Sequence, residues 1–149
     1  RIMSMGSLKL SPEEVTMIHL QVSTNGRASE RFKRLSTIAW RDAAIVALLL
    51  QGLKAREITE LRLEDLKFSK LIVDARWEKR RTVELKDTTR LYLDKYLEGV
   101  IPEERVALFL SQRGKTINVR TIERMISKLD DQLEMKLVSS LLTNSENVK

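Results

Sequence analysis

Arginine and lysine are the residue types with the clearest chemical use in this sequence, because they gather in two clusters. The first cluster places five cations within fifteen residues: Arg27, Arg31, Lys33, Arg34 and Arg41. The second cluster consists of Arg76, Lys79, Arg80 and Arg81. The 149-residue chain has a formal net charge of +6 and a pI near 9.7. Clustered cations on a basic protein favour phosphate groups, so we predict double-stranded DNA as the partner.

Other kinds of chemistry are restricted by what the sequence lacks. It contains no cysteine and a single histidine, His19. Thiol nucleophiles, disulfides, thiolate zinc sites and sites with two histidine ligands are therefore excluded. A Ser-His-Asp triad would have to use His19, but this residue lies in an amphipathic segment, so we predict a surface or boundary position for it. We expect no metal and no cofactor.

One acidic pattern leaves a different reaction open. Asp74 and the segment Glu84-Leu85-Lys86 fit the loose spacing of a metal-dependent nuclease, in which two carboxylates hold Mg²⁺ and a lysine assists the attacking water. The same spacing is common in charged hairpins, so its specificity is low. Nuclease activity is therefore a minor hypothesis.

The composition and the apolar runs of the sequence indicate how many domains and membrane spans to expect. With 42% hydrophobic and 32% charged residues, the sequence predicts one globular domain. No apolar run approaches the roughly 18 residues of a membrane span, and the amino end has no apolar signal-peptide block, which predicts a cytoplasmic protein without membrane contact. We predict a flexible lead-in or expression remnant at residues 1–7, a DNA-binding domain at residues 8–142 and a frayed tail at residues 143–149.

The elements that carry the first cluster begin with a clear helix start. Ser11-Pro12-Glu13-Glu14 combines a capping serine, a proline at the first helical position and a capping-box glutamate. We predict a helix to about Val22, a break at residues 23–26 and a polar loop to Arg34. A central buried helix then starts at Ser36 or Thr37 and ends before Gly52.

The second cluster is predicted at the tip of a hairpin. A short helix with Ile58 facing inward and Glu57 facing outward precedes it, and the run Leu71-Ile72-Val73 and the alternating segment at residues 82–85 form its strands. A helix follows from Asp87 or Thr88. The last helix begins near residue 118 and extends to about Leu142. The fold class is mainly α with a small antiparallel β-hairpin.

The order of these segments resembles the tyrosine recombinase (phage integrase) family. Residues 52–66, from Gly52-Leu53-Lys54 to Asp65-Leu66, are similar to its signature G-L-R-x-x-E-L-x-x-L-x-x-x-D-[IL]. The helix before the signature, the hairpin after it and the segment Leu108-Phe109-Leu110-Ser111 match in order. The resemblance covers about residues 8–129 and implies the first half to two-thirds of a recombinase catalytic domain.

The sequence departs from that family where the family does its chemistry. Lys54 stands in place of the signature arginine and Arg76 in place of the hairpin lysine, while the His-x-x-Arg pair is missing. Tyr92 and Tyr96 fall where the family has packing residues, so neither is predicted as a nucleophile. The resemblance thus implies a DNA-binding protein of bacterial or phage type that is catalytically incomplete as this chain: an accessory factor, a regulator or a fragment of a site-specific recombinase. The predicted DNA contacts are Arg31, Lys33, Arg34, Lys54, Arg56, Arg76, Lys79, Arg80 and Arg81.

Two other hypotheses remain at this stage. The segment from Ala44 through Gly52 to Leu61 also fits a helix-turn-helix regulator, although its second helix would present glutamates to DNA. The apolar last helix, from Ile122 to Leu142, suggests a homo-oligomer in which it packs against its own copy. Alternatively, its terminal leucines complete the core of the same chain.

Overall fold

The computed structural model describes residues 10–73, 80–100 and 106–143. Within these ranges the chain forms the five α-helices α1 (Pro12–Ala28), α2 (Lys33–Leu50), α3 (Ala55–Thr59), α4 (Asp87–Glu98) and α5 (Val119–Leu133). It also forms the strands β1 (Leu66–Lys67), β2 (Lys70–Val73) and β3 (Arg81–Glu84). A 3-10 turn at Leu63–Asp65 and a terminal helical turn at Val138–Thr143 complete the described elements. The predicted fold class, mainly α with a small antiparallel sheet, is confirmed.

Helix α2 is the centre of the domain. All residues from Ala43 to Leu49 are buried, and α1 and α4 pack against the helix. A helix that is apolar on every side must be covered on every side, so the prediction of a central buried helix is confirmed. Its carboxyl end is also as predicted, because Gly52 has a φ of 102°, which favours glycine. Its start is earlier, at Lys33, with Phe32 at the capping position.

Helix α1 has the predicted capping box but not the predicted end. The Ser11 hydroxyl accepts the backbone N–H of Glu14, and the Glu14 carboxylate accepts that of Ser11. The expected break at residues 23–26 is wrong, because the helix continues to Ala28. Gly26 lies against the Trp40 ring, so tertiary contact with α2 outweighs the low helix propensity of this stretch.

Because of this contact, we predict that Gly26→Ala destabilises the protein instead of stabilising it. An alanine normally stabilises a helix relative to glycine, by about 0.5–1 kcal/mol. Here a Cβ atom would lie 2.5 Å from the Trp40 ring, and overpacking of this kind costs about 1–3 kcal/mol. We expect Gly26→Ala to lower the free energy of unfolding measured by urea denaturation. The matched control, Thr24→Ala on the exposed side of the same helix, should leave it nearly unchanged; equal effects would contradict the packing argument.

The three strands form one antiparallel sheet in the order β1-β2-β3. Leu71 pairs with Val83 and Val73 with Arg81 between β2 and β3. The predicted hairpin is therefore confirmed, and β1 adds a strand that the sequence pattern did not indicate. The predicted basic tip follows Val73 and precedes Arg81; of its residues, Arg76 and Lys79 lie outside the described residues.

The carboxyl end of the described chain returns to the core. Helix α5 starts after the capping residue Asn118, as predicted, but it ends at Leu133 rather than Leu142. Glu134 has a φ of 56°, and the Asp130 carboxylate accepts the backbone N–H of Leu137 (2.5 Å) and of Val138 (3.2 Å). This turn reverses the chain and buries three leucines in the domain's own core: Leu137, Leu141 and Leu142.

Candidate nucleic-acid interface

Four of the predicted cations lie around α3 and the start of β3. Lys54, half-buried, precedes α3 and Arg56 is exposed on it; Arg80 is exposed, and Arg81 begins β3. We call these four residues the α3–β3 group. The two elements are in direct contact, because Arg81 is hydrogen-bonded to Glu57 of α3. The structure therefore brings together cations that lie up to 27 positions apart in the sequence.

Glu57 connects the two parts of this group. Arg81 donates from Nη1 to Glu57 Oε2 (2.8 Å) and from Nη2 to Oε1 (3.0 Å), and the backbone N–H of Lys54 donates to Oε1 (2.9 Å). Burial alone would raise the pKa of Glu57, but these hydrogen bonds and the neighbouring positive charges hold that pKa below its ordinary value. The prediction that Glu57 faces outward is wrong, because the residue is only 5% exposed.

The burial pattern of β3 explains why Arg81 needs this partner. In β3 the half-buried residues alternate with the exposed ones, which places Arg81 on the same face as Val83. A cation on an inward face needs a carboxylate partner, and Glu57 is the third residue of a short helix before the sheet. Arg81 thus differs from Arg80, because its guanidinium already holds a carboxylate of its own chain.

The other end of β3 is held by Gln51, which follows α2. Its Nε2 donates to the Glu84 carbonyl (2.7 Å), and its Oε1 accepts the Lys86 backbone N–H (3.1 Å) and the Thr89 hydroxyl (2.7 Å). One amide side chain therefore joins the end of the central helix, the end of β3 and the start of α4. The hairpin is fixed to the rigid part of the domain at its base.

The remaining predicted cations form a separate group at the amino end of α2. Arg31, Lys33 and Arg34 are exposed, and we call them the α1–α2 group. Helix α2 has 18 residues and is therefore about 27 Å long, so this group and the α3–β3 group lie at its opposite ends. The structure does not merge the two predicted clusters into one surface.

The α1–α2 group has a neighbour that the sequence analysis missed. Lys33 and Arg34 line a cleft of about 490 Å³ together with the turn at residues 111–114. Arg113 and Lys115 of this turn region are exposed. About 80 residues separate the two basic segments in the chain, so only tertiary structure brings them together.

Arg41, a member of the first sequence cluster, is not a surface cation. It is 4% exposed and donates to Asp42 Oδ1 (2.7 and 3.0 Å) and to the Leu110 carbonyl (3.0 Å). Burying a guanidinium requires such a set of acceptors. Arg41 therefore ties α2 to the segment before α5.

Both tyrosines of the chain use their hydroxyl groups inside the core. Tyr96, 1% exposed, donates to the Leu108 carbonyl (3.1 Å) and accepts the Leu110 backbone N–H (3.0 Å). The Tyr92 hydroxyl lies 3.0 Å from Nδ1 of His19, and Tyr92 is 2% exposed. Burial, together with the charge of Lys86, lowers the pKa of His19, and burial raises the pKa of Tyr92. These groups are packing and hydrogen-bonding residues in this structure.

The helix-turn-helix hypothesis requires a recognition helix after Gly52. Helix α3 has five residues and is about 7.5 Å long, which is too short to reach along a DNA groove as a recognition helix.

For the nuclease hypothesis, Asp74 lies outside the described residues, and the Glu84 carboxylate is 3.8 Å from Lys70 Nζ. Within residues 10–73, 80–100 and 106–143, no cluster of three or more histidine or acidic residues could hold a metal ion. No helix in those ranges has the length and apolar character of a membrane span.

Known proteins are similar to this chain in sequence and fold. The model of the phage integrase family matches residues 26–142. Tyrosine recombinase XerC of Caldanaerobacter subterraneus is 39% identical over 93 residues, which are 59% of this chain and 26% of that protein. Tyrosine recombinase XerS of Streptococcus thermophilus is 28% identical over 136 residues, which are 84% of this chain and 37% of that protein.

The fold comparison agrees with the sequence comparison. The crystal structure of XerA recombinase matches with a TM-score of 0.64 and 25% identity, over 85% of this chain and 43% of that one. The chain thus spans about a quarter to two-fifths of the length of these relatives. The family model covers more than half of the chain and includes both cation groups and the sheet. The chain therefore belongs to the phage integrase family, the family of the tyrosine recombinases.

Proposed function

We propose that this chain binds duplex DNA through Lys54, Arg56 and Arg80 of the α3–β3 group and does not break or rejoin DNA with its own residues. The observation that supports binding is the clustering of these cations around α3 and the end of β3 nearest the hairpin tip, where Arg81 is bonded to Glu57 of α3. Arg76 and Lys79 are proposed as further DNA contacts. Cations on rigid elements can meet the DNA backbone without a large loss of side-chain and loop freedom.

The proposal of missing chemistry rests on residue types. Lys54 offers a point charge where the family's arginine offers a planar pair of donors to the scissile phosphate. Arg76 is a poor proton donor in place of a lysine, because a guanidinium holds its proton more tightly than an ammonium group. A covalent phosphotyrosine needs an accessible tyrosine hydroxyl, and both hydroxyls of this chain are engaged in the core. A complete reaction would need groups from outside these 149 residues.

The α1–α2 group is proposed as a second DNA contact. Its distance from the α3–β3 group, about 27 Å along α2, corresponds to roughly 8 base pairs at 3.4 Å per pair. Duplexes much shorter than this could meet only one group at a time. The exposed cations Arg113 and Lys115 would act with Lys33 and Arg34.

A salt titration tests this function directly. We expect the 149-residue chain to bind a fluorescein-labelled 25-base-pair duplex, with log K falling by about 0.9 per log unit of salt for each phosphate contacted. With four to six contacts the slope would be about −4 to −5. On a nicked duplex that traps covalent recombinase intermediates, we expect no protein–DNA adduct on a denaturing gel. Absence of binding at low salt would refute the binding proposal, and a covalent adduct would refute the chemical one.

A further inference from the structure

The pair formed by Glu57 and Arg81 lies among the cations of the α3–β3 group. It lies where β3 leaves the basic hairpin tip, and Arg80, the next residue toward the tip, is exposed. We infer that Glu57 and Arg81 are positioning residues, which hold Arg80 and Lys54 at a fixed separation on the DNA-binding surface. This inference rests on the proposed function, because it assigns a role to residues beneath that surface.

Burial makes the pair a lasting contact. The Glu57 side chain is 4% exposed, whereas that of Arg81 is 37% exposed. A guanidinium and a carboxylate that meet through two parallel hydrogen bonds have a defined relative orientation. If Arg81 turned toward a phosphate, it would leave a buried carboxylate without its charged partner, which is strongly unfavourable. Arg81 is therefore not free to serve as an ordinary phosphate contact.

The same carboxylate also fixes the other side of the surface. Glu57 Oε1 accepts both Arg81 Nη2 and the backbone N–H of Lys54, so one oxygen atom joins the start of α3 to the start of β3. A planar carboxylate with both oxygens bound has little rotational freedom. The spacing between Lys54 and β3 is thus set by Glu57.

The two ends of β3 have different roles under this inference. Gln51 holds the end at Glu84, far from the basic tip, and Glu57 holds the end at Arg81, next to it. Loss of the Gln51 contact should loosen the junction with α4. Loss of the Glu57 contact should instead change where Arg80 lies relative to Lys54.

The charges of the pair distinguish a positioning role of Arg81 from direct phosphate binding by Arg81. Glu57 neutralises Arg81, so the pair adds no net positive charge to the surface. If Arg81 positions its neighbours, its removal weakens binding but does not change the number of phosphates contacted. If Arg81 binds a phosphate, its removal lowers the salt slope by about 0.9, as expected for any lost contact.

The test compares Arg81→Gln with its exposed neighbour, Arg80→Gln, in the full chain. Affinity for the 25-base-pair duplex is measured across a salt series, well below the melting temperature of each variant, so that the folded protein is compared. We expect Arg80→Gln to reduce the slope by about 0.9. We expect Arg81→Gln to lower affinity by about tenfold with the slope unchanged.

A double-mutant cycle with Glu57→Gln supplies the second readout. Under the positioning role, Glu57→Gln alone also weakens binding, and Arg81→Gln adds little in the Glu57→Gln background because the contact is already lost. Under direct binding, Glu57→Gln removes a nearby negative charge and releases Arg81, so affinity rises and the full effect of Arg81→Gln persists. As a conservative variant, Glu57→Asp with Arg81 intact should recover part of the lost affinity.

Three results would overturn the inference. One is a slope change in Arg81→Gln equal to that in Arg80→Gln. Another is tighter binding by Glu57→Gln. The third is unchanged affinity of folded Arg81→Gln and Glu57→Gln, which would limit the pair to stability. Failure of the wild-type chain to bind any duplex is distinguishable from all three, because it refutes the proposed function first and removes the surface that the pair would position.

Discussion

Reversing the charge of Lys54 and Arg80 together is expected to reduce affinity for duplex DNA by about 100-fold. Charge-assisted hydrogen bonds contribute about 1.5–3 kcal/mol each, so the loss of two such contacts corresponds to at least this factor. Lys54 precedes α3 and Arg80 precedes β3, and the Glu57–Arg81 contact joins these elements, so both cations belong to one surface. The measurement is fluorescence anisotropy of a labelled duplex with Lys54→Glu/Arg80→Glu at fixed salt.

The matched control changes the net charge equally at another place. Lys67→Glu/Lys95→Glu alters β1 and the side of α4 on which Lys95 pairs with Glu30, and it should lower affinity only severalfold through the general field of the protein. Equal loss in both variants would show that net charge, rather than the α3–β3 group, controls binding. If Arg56→Glu/Arg62→Glu abolished binding while Lys54→Glu/Arg80→Glu did not, α3 and the residues after it would be the DNA contact, as in a helix-turn-helix protein.

Truncating Leu137 is expected to have the largest effect on stability. Its side chain is fully buried, with 0% exposure, and it belongs to the continuous core around α2. Leucine-to-alanine changes at such sites cost about 2–5 kcal/mol, because they lose apolar contact and leave a cavity. We expect Leu137→Ala to lower the free energy of unfolding by about 3 kcal/mol in a urea titration. The control Leu20→Ala removes the same atoms from a side chain that is 65% exposed and should cost far less.

The same variant separates the two hypotheses for the carboxyl end. If the terminal leucines formed a dimer interface, Leu137→Ala would leave a stable folded monomer and would shift the sedimentation coefficient. If they complete the core, stability falls and the oligomeric state does not depend on the substitution. The burial of Leu137, Leu141 and Leu142 within one chain favours the second result.

Stability and DNA binding are expected to respond to different residues. The core variant acts on a buried leucine, whereas the charge variants act on exposed or half-buried cations. A protein held by α2 can tolerate changes at Arg80 without unfolding, since surface substitutions usually have small effects on stability. The Glu57–Arg81 contact is expected to affect both stability and DNA binding, because it joins a buried carboxylate to the cations of the α3–β3 group.

The sequence alone determined the elements whose signals are local. The predictions of a capping box at Ser11, a helix-ending glycine at position 52 and a capping Asn118 are confirmed. Their hydrogen bonds and dihedral angles involve residues within one turn, so the local sequence determines them. The apolar run of α2 and the alternating residues of β3 predicted the buried helix and the hairpin for the same reason. The family resemblance likewise rested on the order of these local segments.

Tertiary structure alone decided which charges are available to a partner. Arg41 and Arg81 have the same side chain as Arg34 and Arg80, but the first two hold acceptors of their own chain and the other two are exposed. Arg41 holds its neighbour Asp42 and the Leu110 carbonyl 69 positions away, and Arg81 holds Glu57 24 positions away, so the distant partners follow only from the fold. The free energy of a buried charge depends on the partner that folding brings to it. The number of cations is therefore a property of the sequence, and the surface they form is a property of the fold.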